Sequence, residues 1–261
     1  MLKLHKGIRL ESLQMPFRRA LQVAARLGVE GIEVNARTEI RPAELTRTGV
    51  RHIRKLLADS RLKICCVSFP TRRGYATAED LDQRLDATRA VMMMAWDLGC
   101  PVVSNQIGPI PSDDAPARSV LIEALSDLGR HAQRVGAFLA AQTADNDPRE
   151  LARLIAALGP AALRVDFDPA ALMTSRYDVN EAMDQLAGSV SHFRARDAVR
   201  DLSRSENVEV QLGRGSVDFP QLLGRLEECQ YGGFITVGGR VADGNVNRYA
   251  EELAYLDNVF A

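Results

Sequence analysis

The sequence lacks several features that would assign it to a specialised class of protein. Its 33 lysines and arginines are balanced by 34 aspartates and glutamates, so it has no basic excess of the kind typical of nucleic-acid-binding proteins. No apolar run approaches the ~18 residues expected of a membrane-spanning helix. The N-terminal segment MLKLHKGIRLES is too charged for a signal peptide. We therefore expect a cytoplasmic protein with neither a nucleic-acid nor a membrane partner.

Cysteine is also scarce, and a glycine-rich phosphate-binding turn is missing. The four cysteines (Cys65, Cys66, Cys100 and Cys229) lack the paired spacing of a zinc site, and their apolar surroundings predict reduced, buried thiols. No G-x-G-x-x-G motif follows the first predicted strand, which argues against a dinucleotide-binding, doubly wound sheet.

Short apolar runs alternate with longer stretches of helical period from one end of the chain to the other. The apolar runs predict strands over 3–9, 30–35, 62–68, 101–106, 136–142, 162–167, 190–195 and 233–237. The stretches between them predict helices over 16–27, 42–59, 78–98, 114–134, 147–158, 178–187, 217–228 and 244–259. The length of 261 residues is close to the ~250 typical of a (β/α)8 barrel. We predict an α/β fold consisting of one TIM-barrel domain over 1–261, with an open doubly wound sheet as the alternative.

Several motifs support this prediction in a consistent order along the chain. They are AARLGVEGIEVNAR (24–37), LGCPVVSNQIG (98–108), RVDFDPAAL (164–172), SHFRARDAV (191–199) and VQLGRGSVDF with its continuation to residue 240. Together they resemble the xylose-isomerase-like TIM barrels, the sugar phosphate isomerase/epimerase family. The resemblance implies the (β/α)8 fold, with an active site at the carboxyl ends of the strands.

The same resemblance implies a divalent metal such as Mn, Mg, Zn or Co, held by Glu, Asp, His and Glu on the last four strands. The matching positions here are Gln142, Asp168, Arg194 and Gly238, so three of the four family ligands are replaced. These side chains sum to zero charge without an ion, and an arginine repels a cation. We therefore predict no metal cofactor. A residual site of Asp166, Asp168 and His192 is the alternative, unless His192 lies deeper in the barrel and bonds a neighbouring side chain.

Glu33 and Arg194 are the candidate catalytic residues, as a general base and as a cation that stabilises an enediolate. Glu33 could instead form a buried ion pair with an arginine such as Arg9 or Arg37. The candidate substrate-binding residues are Asn105, Gln106, Gln142, Asp168, His192, Arg214 and Arg240.

Three arginines, Arg194, Arg214 and Arg240, are predicted to face the barrel mouth and to favour an anionic ligand. The backbone amides around Arg214 are predicted to contribute to the same anion site. Arg194 is expected to be held by Asp166 or Asp168. The dipeptide Arg196–Asp197 is predicted to support the neighbouring loop through an ion pair.

The sequence leaves three hypotheses for function open. The first is a sugar isomerase/epimerase-like barrel that binds a small polyhydroxylated or anionic ligand, such as a sugar phosphate or sugar acid, and has lost metal-dependent chemistry. The second is an active isomerase or epimerase with a rebuilt or metal-independent site. The third is a non-catalytic binding or interaction barrel. An oligomer is compatible with all three.

Overall fold

The strands form where the sequence has its short apolar runs, because parallel strands covered by helices are buried on both faces. In this computed structural model the described residues are 5–144, 146–159, 161–201, 206–239 and 241–259. Its strands are β1 (His5–Arg9), β2 (Gly31–Asn35), β3 (Lys63–Ser68), β4 (Val102–Asn105), β5 (Phe138–Gln142), β6 (Arg164–Phe167), β7 (Val190–Ala195), β8 (Asp197–Asp201), β9 (Glu206–Val210) and β10 (Phe234–Val237).

The helices follow the stretches of helical period. They are α1 (Phe17–Arg26), α2 (Arg47–Asp59), α3 (Leu81–Asp97), α4 (Pro116–Val135), α5 (Pro148–Leu158), α6 (Pro169–Thr174), α7 (Val179–Leu186), α8 (Phe219–Glu228) and α9 (Val246–Val259). Short 3-10 helices cover Leu10–Leu13, Pro42–Glu44 and Ala187–Ser189. In the described part of the chain, none of the helices is both long enough and apolar enough to cross a membrane.

Eight of the strands close into a parallel barrel in the order β1-β10-β7-β6-β5-β4-β3-β2. The closure is made by β1, which pairs with β10 on one side and with β2 on the other. This arrangement confirms the predicted single-domain (β/α)8 barrel and excludes the open sheet. All eight predicted barrel strands are present, the second ending at Asn35 and the last at Val237.

Two strands and one helix were not predicted from the sequence. The strands β8 and β9 form a separate antiparallel pair directly after β7. The short helix α6 begins directly after β6 and packs against both of these strands. The pair and α6 therefore cover the carboxyl-terminal end of the barrel beside β6 and β7, which is the end where TIM barrels carry their active sites.

Asp197 fixes the loop that follows this pair. Its buried carboxylate accepts backbone N–H bonds from Gly213 (3.1 Å), Gly215 (2.8 Å) and Val217 (3.1 Å), in addition to that of Ala198. A Cβ atom on Gly215 would lie 1.8 Å from Asp197 Oδ1, so only glycine allows this approach. Asp197 thus supports the loop by accepting backbone hydrogen bonds rather than through the predicted ion pair with Arg196.

Replacing Asp197 by asparagine tests this role. The Asp197→Asn side chain keeps one acceptor oxygen and turns an NH2 group toward the remaining backbone donors. We expect a loss of about 2–3 kcal/mol in the free energy of unfolding, measured by urea denaturation. The control Asp184→Asn removes an exposed partner of Arg225 and should change stability by less than about 1 kcal/mol. Equal effects of the two substitutions would contradict the assignment.

Candidate functional site

A polar cluster occupies the interior of the barrel, where TIM barrels usually pack branched apolar side chains. Strand alternation points every second side chain inward, so several strands can contribute polar residues to the barrel interior. The cluster consists of Glu33 from β2, Ser104 from β4, Asp166 from β6, His192 and Arg194 from β7, and Thr236 from β10, all of them buried. We refer to these six residues as the central cluster.

Arg194 joins the two acidic residues of the central cluster. Its Nε donates to Asp166 Oδ2 at 2.8 Å, and its Nη1 donates to Glu33 Oε2 at 2.9 Å. Its Nη2 lies 3.3 Å from the hydroxyl oxygen of Ser104. Only 6% of the side chain is exposed, so the two ion pairs form in a largely dry interior. Of the two partners predicted for Arg194, the structure shows Asp166 and adds Glu33.

Asp166 is the most highly bonded acid of the central cluster. Its Oδ1 lies 2.7 Å from His192 Nδ1, and its Oδ2 also accepts the hydroxyl of Ser104. Burial alone would raise the pKa of Asp166, but the charge of Arg194 and the bonds from His192 and Ser104 hold this pKa well below its usual range. Asp166 is therefore a fixed anion that orients its neighbours.

His192 lies deep in the barrel. Its Nδ1 faces Asp166 and its Nε2 lies 3.2 Å from the hydroxyl oxygen of Thr236, so both ring nitrogens have partners. The ring is fully buried. His192 therefore lies deep in the barrel and bonds neighbouring side chains, as one of the two predicted alternatives had it, and does not contribute to a residual metal site.

Glu33 has one satisfied and one unsatisfied oxygen. Its Oε2 accepts from Arg194, whereas its Oε1 is buried without a hydrogen-bond partner. Among the described residues, the second N–H on each of Nη1 and Nη2 of Arg194 likewise has no acceptor. An acceptor and donors that lack protein partners therefore meet at the Glu33–Arg194 contact, where a ligand or a water molecule could satisfy both.

Asp168 belongs to a second ionic group nearer the mouth. Its Oδ1 caps α6 by accepting the N–H of Ala171 at 3.0 Å, and its Oδ2 is paired with Arg196. The guanidinium of Arg196 also donates to Glu209 of β9, with an Nε–Oε1 distance of 3.2 Å. Both oxygens of Asp168 are thus committed to protein partners, and the Asp168–Arg196–Glu209 pairs connect the barrel to the β8–β9 strands.

The four positions that match the metal ligands of the resembled family do not fit a divalent ion. Arg194 brings a positive charge, Asp168 has no free oxygen, and Gln142 is neutral. Gly238 has a φ of +130°, and a Cβ atom there would lie 2.8 Å from both Arg9 Cβ and Ser12 Oγ, so a glutamate cannot be accommodated. Over the residues that the structure describes, no group of three or more His, Cys, Asp or Glu side chains could hold a metal ion.

The predicted polar contacts of β4 and β5 divide into two kinds. Asn105 is buried, and its side chain is used by the β3–α3 connection, accepting from Thr71 at 3.2 Å and donating to the carbonyl of Phe69 at 2.8 Å. Gln106 is exposed and lies 3.4 Å from Gln142, measured from Nε2 to Oε1. Gln106 and Gln142 therefore remain the amides available to a ligand at the mouth.

The predicted arginines do not form one group. Arg194 lies inside the barrel, whereas Arg214 is exposed on the loop fixed by Asp197. The amides of Gly213 and Gly215, predicted to bind an external anion, donate to Asp197 instead. Arg240 lies outside the described residues.

Glu39 is an acid near Glu33 that the sequence did not indicate. It follows β2, and its Oε2 accepts the backbone N–H of Asn35 at 2.7 Å. Burial, reinforced by the nearby charges of Glu11 and Glu33, raises the pKa of Glu39 to about 7. Glu39 therefore changes charge near neutral pH.

Ser104 and Thr236 are the members of the central cluster that sequence reasoning missed. Each is a small hydroxyl residue inside an apolar strand, a pattern that is common and carries no specific chemistry. Strand alternation could have placed Ser104 on the face of Gln106, and Thr236 on the face of Gly238. Their bonds to Asp166 and His192 depend on register between strands, which one sequence does not contain.

Comparisons with known proteins agree with this architecture. The family model described as xylose isomerase-like TIM barrel matches residues 21–259. A xylose isomerase domain protein from Planctomyces limnophilus is 22% identical with a TM-score of 0.80, over 92% of this chain and 90% of that one. A xylose isomerase-like TIM barrel protein from Mycobacterium smegmatis, in complex with magnesium, is 18% identical with a TM-score of 0.78, over 99% and 96% of the two chains.

A third similar structure is a D-allulose 3-epimerase from Methylomonas sp. in complex with D-allulose. It is 14% identical with a TM-score of 0.77, over 99% of this chain and 98% of that one. A comparison with curated proteins gives no match. At these identities, the solved structures establish a shared fold.

Removing Arg194 tests the electrostatics of the central cluster. Arg194→Ala leaves Asp166 and Glu33 as buried carboxylates without a counter-charge, so we expect a loss of about 3–5 kcal/mol in the free energy of unfolding. The double variant with Asp166→Asn should recover part of this loss, on the order of 1–3 kcal/mol. The control Arg225→Ala removes two exposed ion pairs, with Asp184 and Glu228, and should cost less than about 1 kcal/mol. A loss of unfolding free energy in Arg194→Ala as small as that in Arg225→Ala would contradict this account.

Glu39 predicts a dependence of stability on pH. Because its folded pKa of about 7 lies above the ordinary 4.5, the folded chain binds this proton more tightly than the unfolded chain. The stabilisation from this proton is complete below the pKa of 4.5 in the unfolded chain. It is lost as the pH rises to the folded pKa of about 7. Relative to wild type, Glu39→Gln should therefore gain on the order of 2 kcal/mol between about pH 5 and about pH 8. The exposed control Glu44→Gln should show no such gain. A difference in unfolding free energy between Glu39→Gln and wild type that does not change with pH would refute the raised pKa of Glu39.

Proposed function

The chain belongs to the xylose isomerase-like TIM barrel family, and from this membership and the site geometry we propose that it binds a small polyhydroxylated ligand, a sugar or sugar acid, at the carboxyl-terminal mouth of the barrel without a divalent metal. The balanced charge of the chain supports a small molecule rather than a nucleic acid as its partner. The four cysteines are free thiols, which supports a reducing compartment, and we place the protein in the cytoplasm.

The observation that carries the proposal is the unsatisfied donor–acceptor set at Glu33 and Arg194. A ligand hydroxyl can donate to Glu33 Oε1 and accept from a free N–H of Arg194 at the same time. Adjacent hydroxyls, or a hydroxyl beside a carbonyl, match this set, and such groups are repeated along a sugar. Gln106 and Gln142 provide further amide donors and acceptors at the opening.

The charge of the central cluster supports binding without a metal. Arg194 supplies positive charge between two carboxylates, in the place where the family pattern has a histidine ligand. A divalent ion close to this guanidinium would be repelled, and the side chains at the matching positions offer it no open ligand set. Sugar binding itself is a feature of similar proteins, since the Methylomonas enzyme was solved in complex with D-allulose.

A metal-independent proton transfer is the second candidate function, and Glu33 Oε1 is the observation that favours it. In this reaction Oε1 removes a proton from the carbon next to a ligand carbonyl. The electron pair of that C–H bond moves onto the carbonyl oxygen, where an N–H of Arg194 stabilises the enediolate. Return of the proton from Glu33 to the former carbonyl carbon, together with transfer of the adjacent hydroxyl proton to the former carbonyl oxygen, completes a 1,2-isomerisation.

The test of ligand binding uses protein treated with EDTA. Isothermal titration with D-allulose, D-gluconate and D-ribose 5-phosphate should give binding for at least one of them, with the same affinity when Mn²⁺ is restored. Glu33→Gln should weaken that binding about tenfold, whereas the exposed control Glu44→Gln should leave it unchanged. Binding that requires Mn²⁺, or binding indifferent to Glu33→Gln, would refute the proposed site.

The proton-transfer candidate has a separate readout. Incubation of the bound sugar in D2O should exchange the hydrogen next to its carbonyl, and proton NMR detects the loss of that signal. Glu33→Gln should abolish the exchange, whereas Glu44→Gln should not affect it. Binding without exchange would leave a non-catalytic barrel and exclude this chemistry.

A further inference from the structure

Two cavities adjoin on the outside of the barrel, between the β3–α3 connection and the helices α2 and α3. One has a volume of about 470 Å³ and the other of about 680 Å³. They share Arg37, Phe69 and Ala87 in their walls, so they form neighbouring compartments of one surface depression. Each has the size of a small-molecule site. We call them the apolar and the cationic compartment.

The cationic compartment carries positive charge that the protein does not neutralise. Four arginines (Arg37, Arg72, Arg73 and Arg84) and a single acid, Asp80, line it. Arg73 pairs with Glu79. Across the described ranges, none of the other three forms an ion pair with a carboxylate.

The arginines of the cationic compartment are held in different ways. Arg84 donates to the backbone carbonyls of Gly74, Thr77 and Glu79, so its orientation is fixed while its charge is not cancelled. Arg37 stacks on Phe69, 4.3 Å from the ring centre, and its Nε donates to Pro70 O. These bonds leave the Nη groups of Arg37 for a ligand, and planar guanidinium groups bind carboxylate or phosphate oxygens in pairs.

The apolar compartment has the opposite character. Its walls are mainly aliphatic and thioether side chains, namely Leu45, Val50, Val91, Met93 and Met94. Met93 is 54% exposed, a large fraction for an apolar side chain of this size, and Trp96 of the same helix is equally exposed. The one acid in its lining, Asp97, is not shared with the cationic compartment. A ligand that extends across both compartments is therefore directed with its negative end toward Arg37.

We propose that this depression is a binding site for a small organic anion with an apolar body, a carboxylate or phosphate joined to an alkyl or aryl group. The anionic group binds between Arg37 and Arg72, with Arg84 adding to the field, and the apolar body lies against Phe69, Val91 and Met93. The cationic compartment shares Gln106 with the proposed sugar mouth but contains no residue of the central cluster, so anion binding here can be tested independently of sugar binding at Glu33 and Arg194.

The experiment uses 4-phenylbutanoate as the probe, in isothermal titration with the full chain. Two matched compounds separate the compartments, since 4-phenylbutan-1-ol lacks the charge and butanoate lacks the ring. We expect 4-phenylbutanoate to bind at least about tenfold more tightly than either compound. The double variant Arg37→Gln/Arg72→Gln should weaken it by about tenfold or more, and Met93→Asp should do the same from the apolar side.

The structure also provides a control variant for this titration. Arg225→Gln removes an exposed guanidinium on α8 and should leave the affinity unchanged, and thermal unfolding of each variant verifies its fold. The proposal is overturned by an absence of binding in the millimolar range, by equal binding of butanoate, or by an affinity insensitive to both sets of substitutions. It is also overturned if light scattering shows a dimer that Met93→Asp dissociates, because a second copy would then cover the depression.

Discussion

The interior of the barrel depends on the ion pairs that Arg194 makes with Asp166 and Glu33. Two carboxylates buried in a barrel cost several kcal/mol each unless a counter-charge and hydrogen bonds compensate for lost water. Arg194 supplies both, because its Nε and Nη1 lie within 2.8 and 2.9 Å of the two acids. The remaining members of the cluster follow from this contact, since Ser104 and His192 complete the hydrogen bonds of Asp166.

A site built on a guanidinium, as we propose, has a different chemistry from one built on a divalent ion. A divalent metal accepts lone pairs and polarises bound oxygens, whereas a guanidinium only donates hydrogen bonds in one plane. The departures at the other positions agree with this difference, because Asp168 is turned to Arg196 and the backbone at Gly238 leaves no room for a side chain. In the proposed site, therefore, recognition rests on hydrogen bonds to hydroxyl and carbonyl groups.

The fold could be predicted from the sequence because barrel strands and helices are set by local apolar period, which needs no knowledge of neighbours. The candidate site could be predicted only in part. Alternation placed His192 and Arg194 on one face, but their partners depend on depth and register across strands. Register shifts occur at Val165/Asp166 and at Ile32/Glu33, beside the two acids that Arg194 binds, and the sequence carries no signal for them. The β8–β9 pair was missed for a similar reason, since it extends β7 after only one intervening residue.

The distribution of charge separates the two ligand regions of the molecule. At the central cluster the positive charge of Arg194 is matched by carboxylates, and Glu33 Oε1 is buried without a hydrogen-bond donor. The acidic group of a sugar acid would therefore be directed away from Glu33 and toward the mouth, because like charges repel strongly in a medium of low dielectric constant. At the β3–α3 connection the balance is reversed, because Arg37 and Arg84 are bonded to backbone carbonyls rather than to acids. Hydroxyl groups are therefore favoured inside the barrel, and negative charge is favoured outside it.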